Sequence, residues 1–492
     1  MKNVRSKIKH LCGCGFLCLA LLCMGSCADG FDSNESFTSS VTDSQLESPN
    51  LDTSKFATKV NPDGSESIQV VWDVVHGAGG YECQVSIVDD PQNPQQIFNE
   101  IIDGTSFLFD KKEDTKYEVS VRTLGNEKYN NKEASSAMTV AYSTMIPAKV
   151  VPANVDDLVA FIKQNLEDVD TEQAFELEAG AVYEINSELD FGEKQVTFRG
   201  SKVNRPKVIF GYDGVIRTAG GLKIKFINFD CGSQSSNGVV EGSENPSPAM
   251  ISAKGNAYYL KNPVIFQECF FKNVTSCLFT PGHCTWAVED VRVMDCIVQL
   301  DNDGKKFGNG AVISGYSDDH YFEGGQQWRC GIRNITVKNS TIYNIKTNSK
   351  NRFIRFSNNG FSNYFTTGNN GSATLENNTL CRVMTGKEFA NNTPNKKEYV
   401  IAFNNNICYD SWRLQKFIQG NCTKNVDMTT NTIWGVSNSV DNTDKSKYAT
   451  EEDPLFSGEP YLQVLDLDKP NGGVDFKAGG AISSKVGDPR WH

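Results

Sequence analysis

The sequence predicts an all-β protein in which a sandwich of short strands is followed by a long parallel β-solenoid. Two observations support this fold class. Between residues 53 and 145, short runs of alternating apolar residues are separated by turns, and from residue 264 onward one apolar pattern recurs six times. Alternation with a period of two is typical of strands, and a repeat of about 20 to 50 residues is typical of stacked structural units.

The first 26 residues have the composition of a secretory signal peptide. Residues 1–10 carry four basic side chains and no acidic one, and an apolar run from Leu11 to Met24 follows. This run is shorter than the about 20 apolar residues that a membrane-spanning helix needs. Gly25-Ser26-Cys27 resembles the end of a bacterial lipobox, which implies cleavage before Cys27 and lipidation of its sulfur. An ordinary signal peptide with an incidental cysteine is the alternative.

Residues 27–52 are rich in Ser, Asp and Glu, which predicts a flexible tether. Several acyl chains on Cys27 would exceed the two membrane signals that stable anchoring requires. We therefore expect a lipid-anchored outer-membrane protein at the cell surface of a Gram-negative bacterium, with the anchor as its only membrane contact.

The net charge argues against a nucleic-acid partner. The chain carries −12, and because residues 1–26 contribute +4, the mature protein carries −16. A nucleic-acid-binding protein would favour a basic face. An acidic polysaccharide would have to meet a local basic cluster or a bound cation, since long-range steering would not attract it. The ten cysteines after Cys27 form no CxxC pair, and most are predicted to be small buried side chains.

The first domain is predicted over residues 53–145 as a β-sandwich. The order of Trp72, a Gly-rich turn before Tyr81, and Tyr117-x-Val-x-Val resembles a fibronectin type III module, with Tyr117 as its tyrosine corner. The resemblance implies that Trp72 lies in the core and that the domain acts as a spacer. The expected strands are Ile68–Trp72, Tyr81–Ile87, Lys116–Arg122 and Met138–Tyr142.

The second domain is predicted over residues 150–492 and begins with a short amphipathic helix. Apolar residues from Val155 to Leu166 recur at helical spacing, with Asp156 and Asp157 near the start. Residues 175–185 then read as a strand, a Gly turn and a second strand.

Each copy of the repeated pattern has a small or amide residue three positions after its second apolar residue, and this is the marker position. In a β-solenoid equivalent residues stack about 4.8 Å apart, so the markers predict an inward or corner ladder in which amides hydrogen-bond along the axis. The last copy is aligned as Val426-x-Met428-x-x-Asn431. The markers are Cys269, Cys296, Ser340, Asn378, Asn406 and Asn431, which gives steps of 27, 44, 38, 28 and 25 residues.

The capping helix, the segment Ala179-Gly180-x-x-Tyr183, the Asn-marked turns and the ending Gly487–Trp491 resemble right-handed parallel β-helix proteins of the pectate-lyase type. The layout over residues 53–492 also resembles Bacteroidetes surface lipoproteins of polysaccharide-utilisation systems. These proteins join a fibronectin-like module to a lyase-like β-helix. The resemblance implies a right-handed β-helix with an N-terminal capping helix, a polysaccharide ligand and other glycan-uptake outer-membrane proteins as partners.

Pectate lyases use a basic residue to abstract a proton beside a carboxylate, while Ca²⁺ held by carboxylates stabilises the charge that develops. The resemblance makes Arg355 and Lys350 the catalytic candidates if the protein is a lyase. No Gly-His-Gly and no Arg-x-Pro-x-x-Arg segment is present. Asp301-Asn302-Asp303-Gly304 also fits an ordinary turn. The calcium-ligand candidates are Asp301, Asp303, Asp318 and Asp319.

The two long steps predict excursions from the solenoid, where binding residues concentrate. Arg355 is expected to point outward, with Ile354 and Phe356 inward, and a guanidinium suits a glycan carboxylate or sulfate. Trp328 or Trp412 would stack on a sugar ring. The predicted ligand-binding residues are Trp328, Arg329, Lys350, Arg352, Arg355, Tyr364, Trp412 and Arg413.

The sequence therefore predicts a surface lipoprotein that binds an anionic, pectin- or glycosaminoglycan-like polysaccharide along the β-helix. A calcium-dependent polysaccharide lyase that acts by β-elimination is the enzymatic alternative. A structural or adhesive surface protein is the third possibility.

Overall fold

The computed structural model describes residues 41–243, 258–281, 286–302, 311–315, 321–323, 326–328, 331–346, 352–356, 370–411, 413–414, 417–418, 421–435 and 448–492. The chain divides into two compact units, Met1–Met145 and Ile146–His492. Within the described residues, no helix is both long and apolar enough to cross a membrane.

The first unit contains two antiparallel sheets. Its strands are β1 Ala57–Val60, β2 Glu66–Val71, β3 Tyr81–Ile87, β4 Gln95–Ile102, β5 Ser106–Asp110, β6 Lys116–Thr123 and β7 Met138–Ser143. Short 3-10 helices lie at Thr53–Lys55 and Glu127–Tyr129. One sheet has the order β1-β2-β5 and the other β4-β3-β6-β7. All four strands predicted for this domain are present.

Alternation of side chains builds the sandwich core. Every second residue of β3 is buried, and the inward residues of β2, β3, β5 and β6 form one apolar cluster. Trp72 is 5% exposed and lies in this cluster, as predicted. The buried Tyr117 accepts a hydrogen bond from the backbone N–H of Lys112 at 2.8 Å, which is the local return contact expected of a tyrosine corner.

The prediction of a flexible tether is wrong for residues 41–52. Leu46 and Leu51 are buried, and Leu51 pairs with Trp72 in an isolated antiparallel bridge. The backbone N–H of Asp43 donates to the Tyr129 carbonyl at 3.0 Å. Two leucines and a set of backbone hydrogen bonds are enough to hold this polar segment on the sandwich. Residues 27–40, with Cys27, lie outside the described residues.

The second unit begins with α1, Leu158–Asn165. The Asp157 carboxylate accepts a hydrogen bond from the Ala160 N–H at 3.0 Å and so caps the helix. Leu158, Val159 and Ile162 are buried in the main core of the unit. The capping helix that the sequence predicts is confirmed.

Three parallel sheets follow, named here sheet I, sheet II and sheet III in the order in which each coil enters them. Sheet I contains β8 Lys149–Val151, β9 Gln173–Leu177, β12 Val196–Arg199, β15 Leu222–Lys225, β18 Tyr258–Leu260, β19 Val264–Gln267, β22 Trp286–Met294, β27 Gly331–Lys338, β30 Gly371–Glu376, β33 Tyr399–Asn404 and β35 Thr423–Val426. Sheet II contains β10 Val182–Ile185, β13 Lys207–Phe210, β16 Asn228–Asp230, β20 Phe270–Val274, β23 Ile297–Leu300, β28 Thr341–Asn344, β31 Thr379–Cys381, β34 Ile407–Tyr409, β36 Thr432–Trp434 and β37 Thr450–Glu451. Sheet III contains β11 Glu188–Asp190, β14 Val215–Thr218, β17 Gly238–Gly242, β21 Cys277–Thr280, β24 Ala311–Ser314, β29 Arg352–Arg355 and β32 Ala390–Asn391. Strands β25 Tyr321–Glu323 and β26 Gln326–Trp328 form a separate antiparallel pair.

These sheets make a right-handed parallel β-helix, and the predicted fold class is confirmed. Each strand pairs with its equivalents one coil before and after, as Phe198, Ile224 and Phe266 do in sheet I. These three side chains are fully buried in the main core of the unit. Sequence alignment of the repeats begins at Val264 and misses the preceding coil, that of β15, because Ile227 occupies the marker position where later coils carry Cys, Ser or Asn.

The predicted amide ladder lies in the turns between sheets I and II, and all six marker side chains are fully buried. Asn378 donates through Nδ2 to Asn406 Oδ1 at 3.0 Å, and Asn406 Nδ2 donates to Asn431 Oδ1 at 3.2 Å. The Asn378 oxygen accepts the backbone N–H of Ser340 at 3.1 Å. The markers are therefore structural, since they satisfy buried backbone groups from coil to coil.

The alignment of the last copy is wrong by two residues. Val426 pairs with Phe403, which lies three residues before its marker, whereas Val426 lies five residues before Asn431. Residues 427–430 form a longer turn and Met428 is 44% exposed. Apolar alternation alone does not distinguish a strand residue from a turn residue at the end of a solenoid.

The C-terminal segment covers the outer face of sheet II. It contains the 3-10 helices Pro460–Leu462, Pro470–Gly473, Ser483–Lys485 and Pro489–Trp491. Leu465, Phe476 and Trp491 pack with Tyr343 on that face. The Asp488 carboxylate accepts from Thr341 Oγ1 at 2.8 Å, and Trp491 Nε1 donates to the same hydroxyl at 2.7 Å. The ending Gly487–Trp491 thus fastens the segment to the sheet.

The cysteines behave as small apolar side chains. Eight of them are described, and all eight are free thiols with buried side chains. Burial raises the pKa of Cys83 and of Cys269 to about 12. The prediction is confirmed for these eight, while Cys284 and Cys330 lie outside the described residues.

Candidate functional site

Four connections of the β-helix border two neighbouring strands of sheet III, while other long connections, residues 243–257, 410–422 and 435–449, lie at other positions of the coil. Residues 301–310 and 315–330 flank β24, and residues 345–351 and 356–370 flank β29. Ile313 of β24 pairs with Ile354 of β29. The excursions that the sequence predicts therefore leave the coil at adjacent positions of one sheet, which is where a rigid scaffold would present variable binding segments.

A column of polar side chains runs along the outer face of sheet III. Its members occupy successive paired positions, and the residue before each of them is buried in the core, so the polar side chains point outward. Arg217 pairs through Nε with Glu188 at 2.9 Å and through Nη1 with Glu241 at 3.3 Å. The column consists of Asp190, Arg217, Glu241, Thr280, Ser314, Arg355 and Asn391.

Arg355 lies at the accessible end of this column. Ile354 and Phe356 are buried, as predicted, and Arg355 and Asn391 are partly exposed. Phe353 is also fully buried, so the strand does not alternate strictly. Arg352 and Arg355 consequently stand at the two ends of a four-residue strand whose middle is apolar.

Glu388 joins Arg352 to Arg413. Its Oε2 lies 3.2 Å from Arg352 Nη2, and its Oε1 lies 3.8 Å from Arg413 Nη1. Lys387 is the exposed neighbour of Glu388. Glu388 therefore stands among three cations, and we name Arg352, Lys387, Glu388 and Arg413 the arginine cluster. Arg355 lies at the other end of β29. The cluster's excess of positive charge contrasts with the acidic chain as a whole.

Glu388 stays ionised in spite of its partial burial. Burial raises its pKa, but a hydrogen bond from its own backbone N–H and the charges of Arg352, Arg413 and Lys387 outweigh burial and lower the pKa. Glu388 thus aligns the two guanidinium groups. A guanidinium has five N–H donors, and the buried Arg352 Nε has no hydrogen-bond partner among the described residues, so an anionic ligand would satisfy it.

Sequence reasoning missed Glu388. No spacing signal reveals it, because it lies 36 residues after Arg352 and 25 before Arg413. Only the stacking of β29 on β32 brings these segments together.

The predicted calcium ligands are only partly described. Asp301 lies directly after β23, partly exposed, and its backbone N–H donates to the Val274 carbonyl at 2.9 Å. In the part of the chain that the structure describes, no group of three His, Cys, Asp or Glu side chains is placed to hold a metal. Asp303, Asp318 and Asp319 lie outside the described residues, so the calcium site stays a prediction.

The other predicted site residues have no described side chains. Trp328 ends β26, where its backbone pairs with Tyr321. The remaining candidates that lie outside the described residues are Arg329, Lys350, Tyr364 and Trp412.

Comparison with known proteins gives no activity for this chain. A family model described as a domain of unknown function, DUF4992, matches residues 3–192, and a second, DUF4957, matches residues 181–309. No curated protein matches. Among solved structures, the chain is similar to pectate lyase PelI from Erwinia chrysanthemi in complex with tetragalacturonic acid. The identity is 11%, the TM-score is 0.13, and the match covers 68% of this chain and 84% of the other.

Proposed function

We propose that this protein is a lipid-anchored cell-surface protein that binds an acidic polysaccharide at the arginine cluster of sheet III. The observation that supports the proposal is the gathering of Arg352 and Arg413 around Glu388, with Arg355 on the same strand. Carboxylates and sulfates repeat along acidic glycans, and guanidinium groups bind both in bidentate geometry.

The charge balance favours this ligand class. A mature chain of −16 repels polyanions at long range, so binding requires local cations. The arginine cluster supplies these cations beside β29, which carries Arg352 and is flanked by the excursions 345–351 and 356–370. Trp328, between β24 and β29 in sequence, and Trp412, in the connection between β34 and β35, are proposed to stack on sugar rings. Attachment through Cys27 would place this surface outside the cell.

Affinity electrophoresis of residues 41–492 in gels that contain polygalacturonate, chondroitin sulfate or a neutral glucan tests the proposal. We expect retardation by the acidic polymers alone, weakening as salt rises because exposed charges are screened. Arg355→Ala should weaken binding about tenfold, since a charge-assisted hydrogen bond contributes about 1.5–3 kcal/mol.

Lys338→Gln, on the outer face of sheet I, is the matched control and should leave retardation unchanged. Release of unsaturated products that absorb ultraviolet light would instead assign a lyase. Unaltered mobility in every gel would exclude glycan binding and favour a structural or adhesive role.

A further inference from the structure

A second basic cleft lies on sheet II, where the chain between β12 and β13 meets the C-terminal segment. Its volume is about 410 Å³, which suits a small ligand. The polar and charged residues that line it are Lys202, Asn204, Arg205, Lys207, Asn228, Asp468, Lys469 and Asn471.

The cleft is built from neighbouring coils and held in place by the C-terminal segment. Lys207, Asn228 and Phe270 are paired residues at the start of three successive strands of sheet II. Lys207 Nζ lies 2.7 Å from Asp468 Oδ1, and Asn228 Nδ2 donates to the Leu467 carbonyl at 2.9 Å. Because both walls are fixed to the same column, the cleft is formed before any ligand arrives.

Two buried polar atoms that belong to lining residues of this cleft have no hydrogen-bond partner among the described residues. They are Arg205 Nη1, a donor, and Asn228 Oδ1, an acceptor. Asn228 is 5% exposed, and the Arg205 side chain is 18% exposed. A buried polar atom without a partner costs about 1–3 kcal/mol, so this pair marks a place where a ligand would restore the missing bonds.

Contacts on other sides hold Arg205 in position. Its guanidinium lies over the Phe270 ring at 4.6 Å from the centroid, and Nη2 is 3.6 Å from Glu268 Oε2. Nη1 is thus presented in a fixed direction. The stacking on Phe270 also means that loss of the arginine would disturb packing as well as charge.

The lining selects an anion that also carries hydroxyl groups. The lining contains the four cations Lys202, Arg205, Lys207 and Lys469 and one carboxylate, that of Asp468. Outside the lining, Glu268 pairs with Arg205 at 3.6 Å and Asp466 pairs with Lys469 at 3.2 Å. An anionic oxygen would accept from Arg205, while Asn228 Oδ1 requires a donor, which a hydroxyl group provides. Leu467 gives the cleft an apolar wall for the C–H face of a ring.

We propose that this cleft binds a sugar acid, that is, a small carboxylate with neighbouring hydroxyl groups, either free or at the end of an acidic glycan. The proposal does not rest on the arginine cluster, which lies on another sheet. It assigns to the β-helix a second, pocket-like site for a single residue in addition to an extended surface for a polymer.

Isothermal titration of residues 41–492 with galacturonate and glucuronate tests the proposal, with galactose and acetate as probes that each lack one required group. We expect at least one sugar acid to bind at least about tenfold more tightly than galactose or acetate. Equal affinity for the monomer and for a trimer of the acid would show that the cleft binds the end of a glycan chain. A preference for the monomer would show that it binds the free acid. Binding of galactose as tight as that of both acids, or binding of none of the probes, overturns the proposal.

Arg205→Met should abolish the preference for the sugar acid. Lys202→Gln, at a partly exposed position, should weaken binding severalfold without touching the packing of Phe270. Arg292→Met removes the same charge on sheet I and serves as the control. Unchanged affinity in both cleft variants contradicts the assignment, and retention of both variants in polygalacturonate gels separates this site from the arginine cluster.

Discussion

In five successive coils the turn between sheets I and II has a constant length, whereas the connections next to sheet III differ in length. Between sheets I and II, each of the five coils from β19–β20 to β33–β34 turns in two residues, and the first of them is left-handed with φ between 49° and 57°. The connections that flank β24 and β29 of sheet III differ in length. They are residues 301–310, 315–330, 345–351 and 356–370. In these five coils the constant turn stacks the marker side chains, and only the last turn, residues 427–431, is longer while Asn431 still accepts from Asn406 at 3.2 Å. The connections at the other borders vary in length from coil to coil.

This comparison separates stability from recognition. Residues that repeat along the ladder hold the coils in register, whereas residues that occur once, such as Arg352 and Glu388, give the surface its chemistry. Substitutions in the ladder should therefore lower the free energy of unfolding, whereas substitutions in the arginine cluster should change ligand affinity.

The largest effect is expected from Asn406→Ala in the ladder. The variant loses hydrogen bonds to Asn378, Asn431 and the Leu375 carbonyl, all of them buried. Because each unsatisfied buried group costs about 1–3 kcal/mol, we expect a loss of about 3 kcal/mol or more in urea unfolding. Asn425→Ala, at an exposed position of β35, should cost less than about 0.5 kcal/mol. A loss at Asn406 no larger than this control would contradict the structural role of the ladder.

A smaller effect of opposite sign is expected from Glu388→Gln. Removing the one carboxylate of the arginine cluster breaks its ion pairs with Arg352 and Arg413 and raises local positive charge. Affinity for an acidic polysaccharide should rise about two- to fivefold, the size of a partly exposed ion pair. Asp410→Asn, which removes a carboxylate paired with Arg382 at 3.0 Å, is the control outside the cluster. Weaker binding by Glu388→Gln would show that Glu388 contacts the ligand or that the site lies elsewhere.

The smallest effect is a pH dependence that Glu388 imposes. Its pKa lies below the ordinary value of 4.5, so the stability that its ion pairs contribute is present above that value and is lost as the pH falls through the lowered pKa. Binding of a sulfated polysaccharide, which keeps its charge in acid, should be constant from about pH 8 to 5 and strengthen only below the ordinary glutamate range. The Glu388→Gln variant should lack this rise while circular dichroism shows that it remains folded. A rise in the variant equal to that of the parent protein would assign the effect to another group.

The sequence by itself determined the all-β class, the sandwich strands, the capping helix and the marker positions of the ladder. It did so because these features depend on residues that are close in sequence or one repeat apart. Tyr117 bonds to Lys112, Asp157 caps Ala160, and Asn406 bonds to Asn378 and Asn431. The sequence also placed Ile354 inward and Arg355 outward, since side chains alternate along a strand.

Only the tertiary structure decided which single residues meet. Glu388 reaches Arg352 and Arg413 because β29 stacks on β32, and Asp468 reaches Lys207 across 261 residues because the C-terminal segment returns along sheet II. The residues of such a pair are not separated by a repeating interval, so no sequence pattern predicts that they meet. The same reason explains why residues 41–52 read as a tether: their polar composition is local, but the leucines that hold them find partners only in the folded sandwich.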